Sequence, residues 1–309
     1  MPEPNRPRPA VAFVGTGVMG ASMAGHLLAA GYPLTVHNRT AAKSQPLLDR
    51  GARWAGSPGA AVAEADVAIT IVGFPEEVRA AYLAPDGLVA RARPGATLID
   101  MTTSSPSLAR EIAAAAAARS VAALDAPVSG GDIGARAASL SIMVGGDAQA
   151  FAAARPILAT MGQTIVYQGP AGSGQHTKLC NQIALASTMI GVMEALRYAR
   201  AAGLDPATVH ASISSGAAAS WPLAHLYPRV LAGNDAPGFT VRHFLKDIRL
   251  ALDEADRMGI ALPGLALARS LYEQVAAMGG GDWGTQALYR ALEAPAESAD
   301  RGLPPDSRA

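Results

Sequence analysis

The chain has 309 residues, half of them hydrophobic and 16% charged, so it can bury a sizeable core and is not a disordered polymer. Its 25 Lys and Arg balance 25 Asp and Glu, and no dense basic run stands out, which argues against nucleic acid as a partner. The single cysteine, Cys180, excludes an intrachain disulfide, and the six scattered histidines lack His-x-x-x-His spacing, so no metal site is expected.

At this length about two domains are expected. Residues 1–9 are Pro-rich and read as a disordered lead, without the pattern of a secretory signal. Short apolar runs at 10–15, 34–37, 67–72, 97–100, 121–125 and 139–144 alternate with helix-forming stretches, the first at 18–30. Near-continuous apolar strands of this kind predict a parallel sheet covered by helices on both faces. The alanine tract 113–118 reads as part of a surface helix.

The texture changes after Gln168-Gly169-Pro170. No further strand is expected, and residues 173–202 read as one long helix ended by Gly203 and Pro206. Helices over 206–214, 220–231, 241–258, 262–277 and 285–292 follow. The expected organisation is an α/β domain at 10–169 and an all-helical domain at 170–293, with a Pro-, Ser- and Asp-rich disordered tail at 294–309. Within the long helix, residues 179–193 are interrupted by Asn181, Gln182, Ser187 and Thr188, too polar and too short for a membrane span. A cytoplasmic protein off the membrane is expected. A helix about 45 Å long cannot bury its apolar stripe on one small domain, so a homodimer or homotetramer is expected as well.

Gly15-Thr16-Gly17-Val18-Met19-Gly20 follows the first strand and opens the first helix. A G-x-G-x-x-G pattern in that setting allows a tight turn, and it aims unpaired helix N–H groups at a dinucleotide pyrophosphate. At the end of the second strand, where NAD enzymes commonly carry a carboxylate for the ribose, the chain has Asn38-Arg39-Thr40. A 2′-phosphate would meet no repulsion there and could pair with the Arg39 guanidinium, so NADP is favoured and NAD remains possible. Otherwise Arg39 is a solvated loop residue.

Four motifs occur in order: GxGxMG, Asp125-Ala126-Pro127-Val128-Ser129-Gly130-Gly131, Gly172-x-Gly174-x-x-x-Lys178-x-x-Asn181, and Lys246-Asp247. Read physically, Ser129, Gly130 and Gly131 form either a plain turn or a nest of N–H groups and a hydroxyl for a small carboxylate. Lys178 and Asn181 lie three apart and share a helix face. A lysine can move a proton if burial or a neighbouring cation such as Lys246 lowers its pKa. Lys246-Asp247 taken alone is a solvated ion pair on an amphipathic helix.

Over residues 10–293 the chain resembles the β-hydroxyacid dehydrogenases, the group of 3-hydroxyisobutyrate dehydrogenase, tartronate semialdehyde reductase and glyoxylate/succinic semialdehyde reductase. The resemblance implies an NADP-dependent enzyme that interconverts a small β-hydroxy acid and the corresponding semialdehyde or keto acid. It implies Lys178 as the catalytic acid/base, with Asn181 orienting substrate or lysine. It further implies Ser129, Gly130 and Gly131 as substrate contacts, and Thr103, Lys246 and Asp247 toward the nicotinamide. Phe74-Pro75 stands where the family has Leu-Pro near the adenosine. Trp221, after a run of small residues, is either pocket wall or core. An imine reductase, or a non-catalytic NADP-binding sensor, would share the glycine cradle but tend to lack the lysine.

Overall fold

The computed structural model describes residues 8–293. The expectation of disordered tails at 1–9 and 294–309 lies outside the described residues, except at Arg8 and Pro9. These two have no regular structure, and the Arg8 guanidinium lies over the Tyr32 ring at 5.0 Å.

Buried β-branched and alanine-rich runs build β1 (Val11–Val14), β2 (Leu34–His37), β4 (Val67–Thr70), β5 (Thr97–Asp100) and β6 (Ala122–Asp125). With β3 (Arg53–Trp54), β7 (Val128–Ser129), β8 (Leu140–Gly146) and β9 (Gly162–Gly169) they form one nine-stranded sheet. Its order is β3-β2-β1-β4-β5-β6-β8-β7, with β9 beside β8. The pairs from β3 to β6 are parallel. Strand order therefore reverses between β1 and β4, and a ligand crevice opens beyond their carboxyl ends.

The expected parallel sheet is found, with an antiparallel insertion beyond β6. β8 runs antiparallel to β6 and β7 before pairing in parallel with β9. Three strands carried no readable pattern. β3 is two exposed residues on an edge, β7 is two residues long, and β9 is a mostly exposed edge strand whose apolar run is only Ile165-Val166-Tyr167.

The rest of the chain is helical and packs a core of its own around the long helix Ser173–Ala201. By length and composition alone that helix could cross a membrane. In the fold its Met189, Met193 and Leu196 are buried with Phe244, Ile248, Tyr272 and Leu288 from the helices Val241–Met258, Pro263–Ala277 and Leu288–Glu293. The helix expected over 220–231 is two, Trp221–His225 and Tyr227–Leu231. Pro228 has no N–H to donate, and its ring clashes with the preceding turn. The helix expected over 285–292 begins as a tighter turn, Thr285–Ala287, before Leu288–Glu293.

The two halves meet where the long helix starts. Asp125, the last residue of β6, accepts the Gly172 N–H on Oδ1 and the Gln175 N–H on Oδ2, both at 2.8 Å. Gly174 lies so close to the sheet that a Cβ would stand 2.4 Å from the carbonyl oxygens of Asp125 and Met143. Backbone cannot yield as a side chain can. Gly174→Ala is therefore expected to cost about 1–3 kcal/mol, read as a thermal midpoint several degrees lower in calorimetry.

Candidate active site

The crevice begins at the glycine loop. Gly15 has φ +101°, and a Cβ on Gly20 would stand 1.9 Å from the Gly15 carbonyl oxygen, so the turn closes only with hydrogen at both positions. The helix Val18–Ala29 follows with Gly17 as its N-cap, no side-chain cap and no acidic residue in its first turn. Its first N–H groups, from Val18, Met19 and Gly20, thus face the crevice mouth without a built-in anion. This cradle fits a pyrophosphate.

Asn38 joins the loop to the end of β2. Its Oδ1 accepts the Thr16 N–H at 3.0 Å, and its Nδ2 donates to the Thr40 carbonyl at 2.9 Å. Arg39 extends into solvent and pairs with Glu77, Nη1 to Oε1, at 2.7 Å. Phe74 caps the helix that starts at Pro75, and its ring lies 5.2 Å from that of His243 on the helix Val241–Met258. The crevice thus has one wall from each half of the chain.

At the far end, three consecutive residues after β5 are held from the helical half. Gln175 donates from Nε2 to the Thr102 carbonyl at 2.8 Å and accepts the Ser104 N–H on Oε1 at 2.9 Å. Lys246 Nζ donates to the Thr103 carbonyl between them. Thr102 is braced from the sheet side, donating to Asp100 Oδ1 and accepting the Val72 N–H. Burial pushes the Asp100 carboxyl up to about 7, against its bonds to Thr102 and the nearby Lys246 charge.

Lys178 lies five residues into the long helix and is only 7% exposed. Burial lowers its pKa to about 8, with Asp247 opposing the shift and Lys246 adding to it. Asp247 is itself buried, with Oδ1 2.9 Å from Lys246 Nζ and Oδ2 accepting from Gln182 Nε2. Gln182 Oε1 in turn accepts from Asn181 Nδ2 at 2.7 Å. A continuous polar chain therefore runs Asn181, Gln182, Asp247, Lys246, Thr103. Lys246-Asp247 is not the solvated pair its helix position suggested.

Ser129 ends β7, Gly130 has φ +127°, and Gly131 opens a short helix with open space where a Cβ would stand. Trp221 is not core. It is 45% exposed, at the start of a short helix, and stacks on His225 with ring centroids 4.6 Å apart. The polar chain that links Lys246 to Asn181 does not include it. Among the described residues no cluster of three His, Cys, Asp or Glu side chains is arranged to hold a metal ion.

Residues 10–169 match the NAD binding domain of 6-phosphogluconate dehydrogenase, and residues 172–292 match the NAD-binding domain of NADP-dependent 3-hydroxyisobutyrate dehydrogenase. The chain belongs to the β-hydroxyacid dehydrogenase family. It is 54% identical over 280 residues to an uncharacterized oxidoreductase of Bacillus subtilis, covering 91% of this chain and 97% of the relative. To the 3-hydroxyisobutyrate dehydrogenase of Pseudomonas aeruginosa it is 41% identical over 270 residues, covering 85% of this chain and 90% of that one. The solved Mycobacterium tuberculosis 3-hydroxyisobutyrate dehydrogenase with L-serine superposes with a TM-score of 0.84 at 34% identity, over 93% of this chain and all of that one. The protein is thus a nicotinamide-dependent dehydrogenase acting on a CH–OH group.

Gln175 and Gln182 are the residues that the motif reading passed over in this β-hydroxyacid dehydrogenase. They stand three before and four after Lys178, spacings that put them on its face of the helix, and that periodicity was the available signal. Gln182→Leu strips a donor from the buried Asp247 carboxylate and an acceptor from Asn181. The expected loss is about 1–3 kcal/mol, read as a lower urea midpoint with unchanged slope.

Proposed function

We propose that this enzyme interconverts a small β-hydroxy acid and the corresponding semialdehyde or keto acid with a preference for NADP(H), and that Lys178 is the general acid/base. The supporting observation is Lys178 itself: a buried amine with its pKa brought to about 8, facing one lysine and one aspartate across the cleft.

In this reading residues 10–169 hold the cofactor and residues 170–293 form the substrate and oligomerisation domain. The tight turn at Gly15, whose own N–H goes to the His37 carbonyl, lets the N–H groups of Gly17, Val18, Met19 and Gly20 take the pyrophosphate. Asn38, Arg39 and Thr40 take the ribose and its 2′-phosphate, and Phe74-Pro75 flanks the adenosine. Thr103, Lys246 and Asp247 border the nicotinamide, which when bound supplies the hydride acceptor or donor. The Ser129 hydroxyl and the N–H groups of Gly130 and Gly131 hold the substrate carboxylate, with Trp221 as a candidate outer wall.

In oxidation, neutral Lys178 accepts the proton of the substrate hydroxyl at Nζ as the carbinol carbon loses hydride. In reduction the ammonium returns it to the carbonyl oxygen. Asn181 orients the substrate oxygen, and Asp247 with Lys246 sets how readily Lys178 gives up its charge. Acids of two to four carbons such as 3-hydroxyisobutyrate, serine, tartronate semialdehyde, succinic semialdehyde and glyoxylate match one carboxylate nest and one proton shuttle.

Because the neutral amine is the base, kcat/KM for oxidation should rise with pH through about 8 and that for reduction should fall through the same range. Lys178→Ala should lower turnover by about 10²–10⁴ while circular dichroism stays that of the parent. Near-parental turnover in a folded Lys178→Ala protein would refute the assignment. A panel of these acids and semialdehydes with NADPH and NADH, followed at the nicotinamide absorbance, identifies the substrate.

A second copy of the chain is the proposed partner. An apolar groove beside the long helix is lined by Thr188, Val192, Ala195, Ile213, Ala218 and Leu223. Light scattering should give a dimer or tetramer mass, and a monomer at micromolar concentration would count against it.

A further inference from the structure

The end of β2 has no carboxylate of its own, yet the fold brings one there from another element. Glu77 lies in the first turn of the helix Pro75–Leu83, and its Oε1 is 2.7 Å from Arg39 Nη1. Its Oε2 accepts the Gly73 N–H at 2.8 Å. The backbone bond fixes the carboxylate on one oxygen, so the other is presented in a set direction toward the guanidinium. Arg39 is 88% exposed and Glu77 33%, so the arginine is the free-swinging member and the glutamate the fixed one.

We propose that Glu77 determines cofactor selectivity by acting as the standing counter-ion of Arg39. The inference rests on reading Asn38, Arg39 and Thr40 as the ribose-phosphate end of the crevice. A 2′-phosphate arriving there has to share the guanidinium with a carboxylate already paired to it, and it meets that carboxylate's negative charge. A free ribose 2′-hydroxyl meets instead an acceptor for its proton. Glu77 thus narrows the preference for a phosphorylated ribose that Arg39 alone would confer, and it keeps the unphosphorylated dinucleotide usable.

The test compares adenosine 2′,5′-bisphosphate with 5′-AMP as ligands of the full chain by titration calorimetry. Glu77→Gln removes the charge and retains an amide oxygen for the Gly73 N–H. The ratio of the two dissociation constants should move about fivefold in favour of the bisphosphate, the upper range for a solvent-exposed ion pair. The gain should shrink in 0.5 M salt, as screening requires. A purely structural role at the helix start would weaken both ligands together and leave the ratio where it was. Arg39→Ala should abolish the preference for the bisphosphate in the otherwise parental chain.

If Arg39→Ala leaves the ratio unmoved, the ribose-phosphate reading fails and this proposal fails with it. If Arg39→Ala collapses the ratio but Glu77→Gln changes it by less than twofold, only the role of Glu77 is overturned.

Discussion

Everything at the reacting end of this protein depends on how the long helix is fastened to the sheet. The Asp125 carboxylate receives the first-turn N–H groups of Gly172 and Gln175, and Gly174 presses directly on the backbone of β6 and β8. A carboxylate at a helix start suits both the unpaired donors and the helix dipole. It does so at a buried position, where burial raises the carboxyl's pKa and the backbone donors oppose the rise. From this fixed point the helix periodicity delivers Gln175 to the loop after β5, Lys178 to the cleft and Gln182 to Asp247. Side chains from three successive turns are placed by one junction.

The electrostatics of the cleft follow from the same placement. The charges of Asp247 and Lys246 act on Lys178 in opposite directions, the aspartate favouring its ammonium and the second lysine disfavouring it. Burial decides the contest in favour of a lysine with a lowered pKa, and Lys246, committed to the Thr103 carbonyl and Asp247, keeps the structural share. Asp100, pushed up to about 7 on the sheet side, is only partly ionised near neutrality. In the proposed mechanism this arrangement gives a proton carrier whose affinity is set first by burial and tuned by neighbours on a different helix.

Much of this was legible in the residues. β2, β5 and the helix Val241–Met258 have the bounds that their apolar patterns imply, because each is long or buried enough for packing to dominate the pattern. Two-residue strands such as β3 and β7 have no period to read, and β9 is an exposed edge whose three apolar residues alone are too short a run to mark it. The glycine spacing pointed to the cradle because backbone proximity admits no other residue at Gly15 and Gly20. What could not be read was partnership across the chain. Nothing near Arg39 in sequence announces Glu77, and nothing near Thr103 announces Gln175, since such pairs exist only once strand order is set. For Trp221 the sequence allows wall or core, and the structure removes the core because the residue is nearly half exposed.

The staple across Thr102, Thr103 and Ser104 also governs how the two halves can move. Parting them at that end breaks the two bonds of Gln175 and the charged bond of Lys246 in a buried setting. At about 1 kcal/mol for each neutral bond and somewhat more for the charged one, the gaping form is about a hundredfold or more rarer than the closed one. At the opposite end the halves touch through the Phe74–His243 ring contact, which parts more easily. In the proposed binding mode the crevice is a clasp held at the reacting end and looser at the ribose end, so cofactor exchange should begin with the adenosine end.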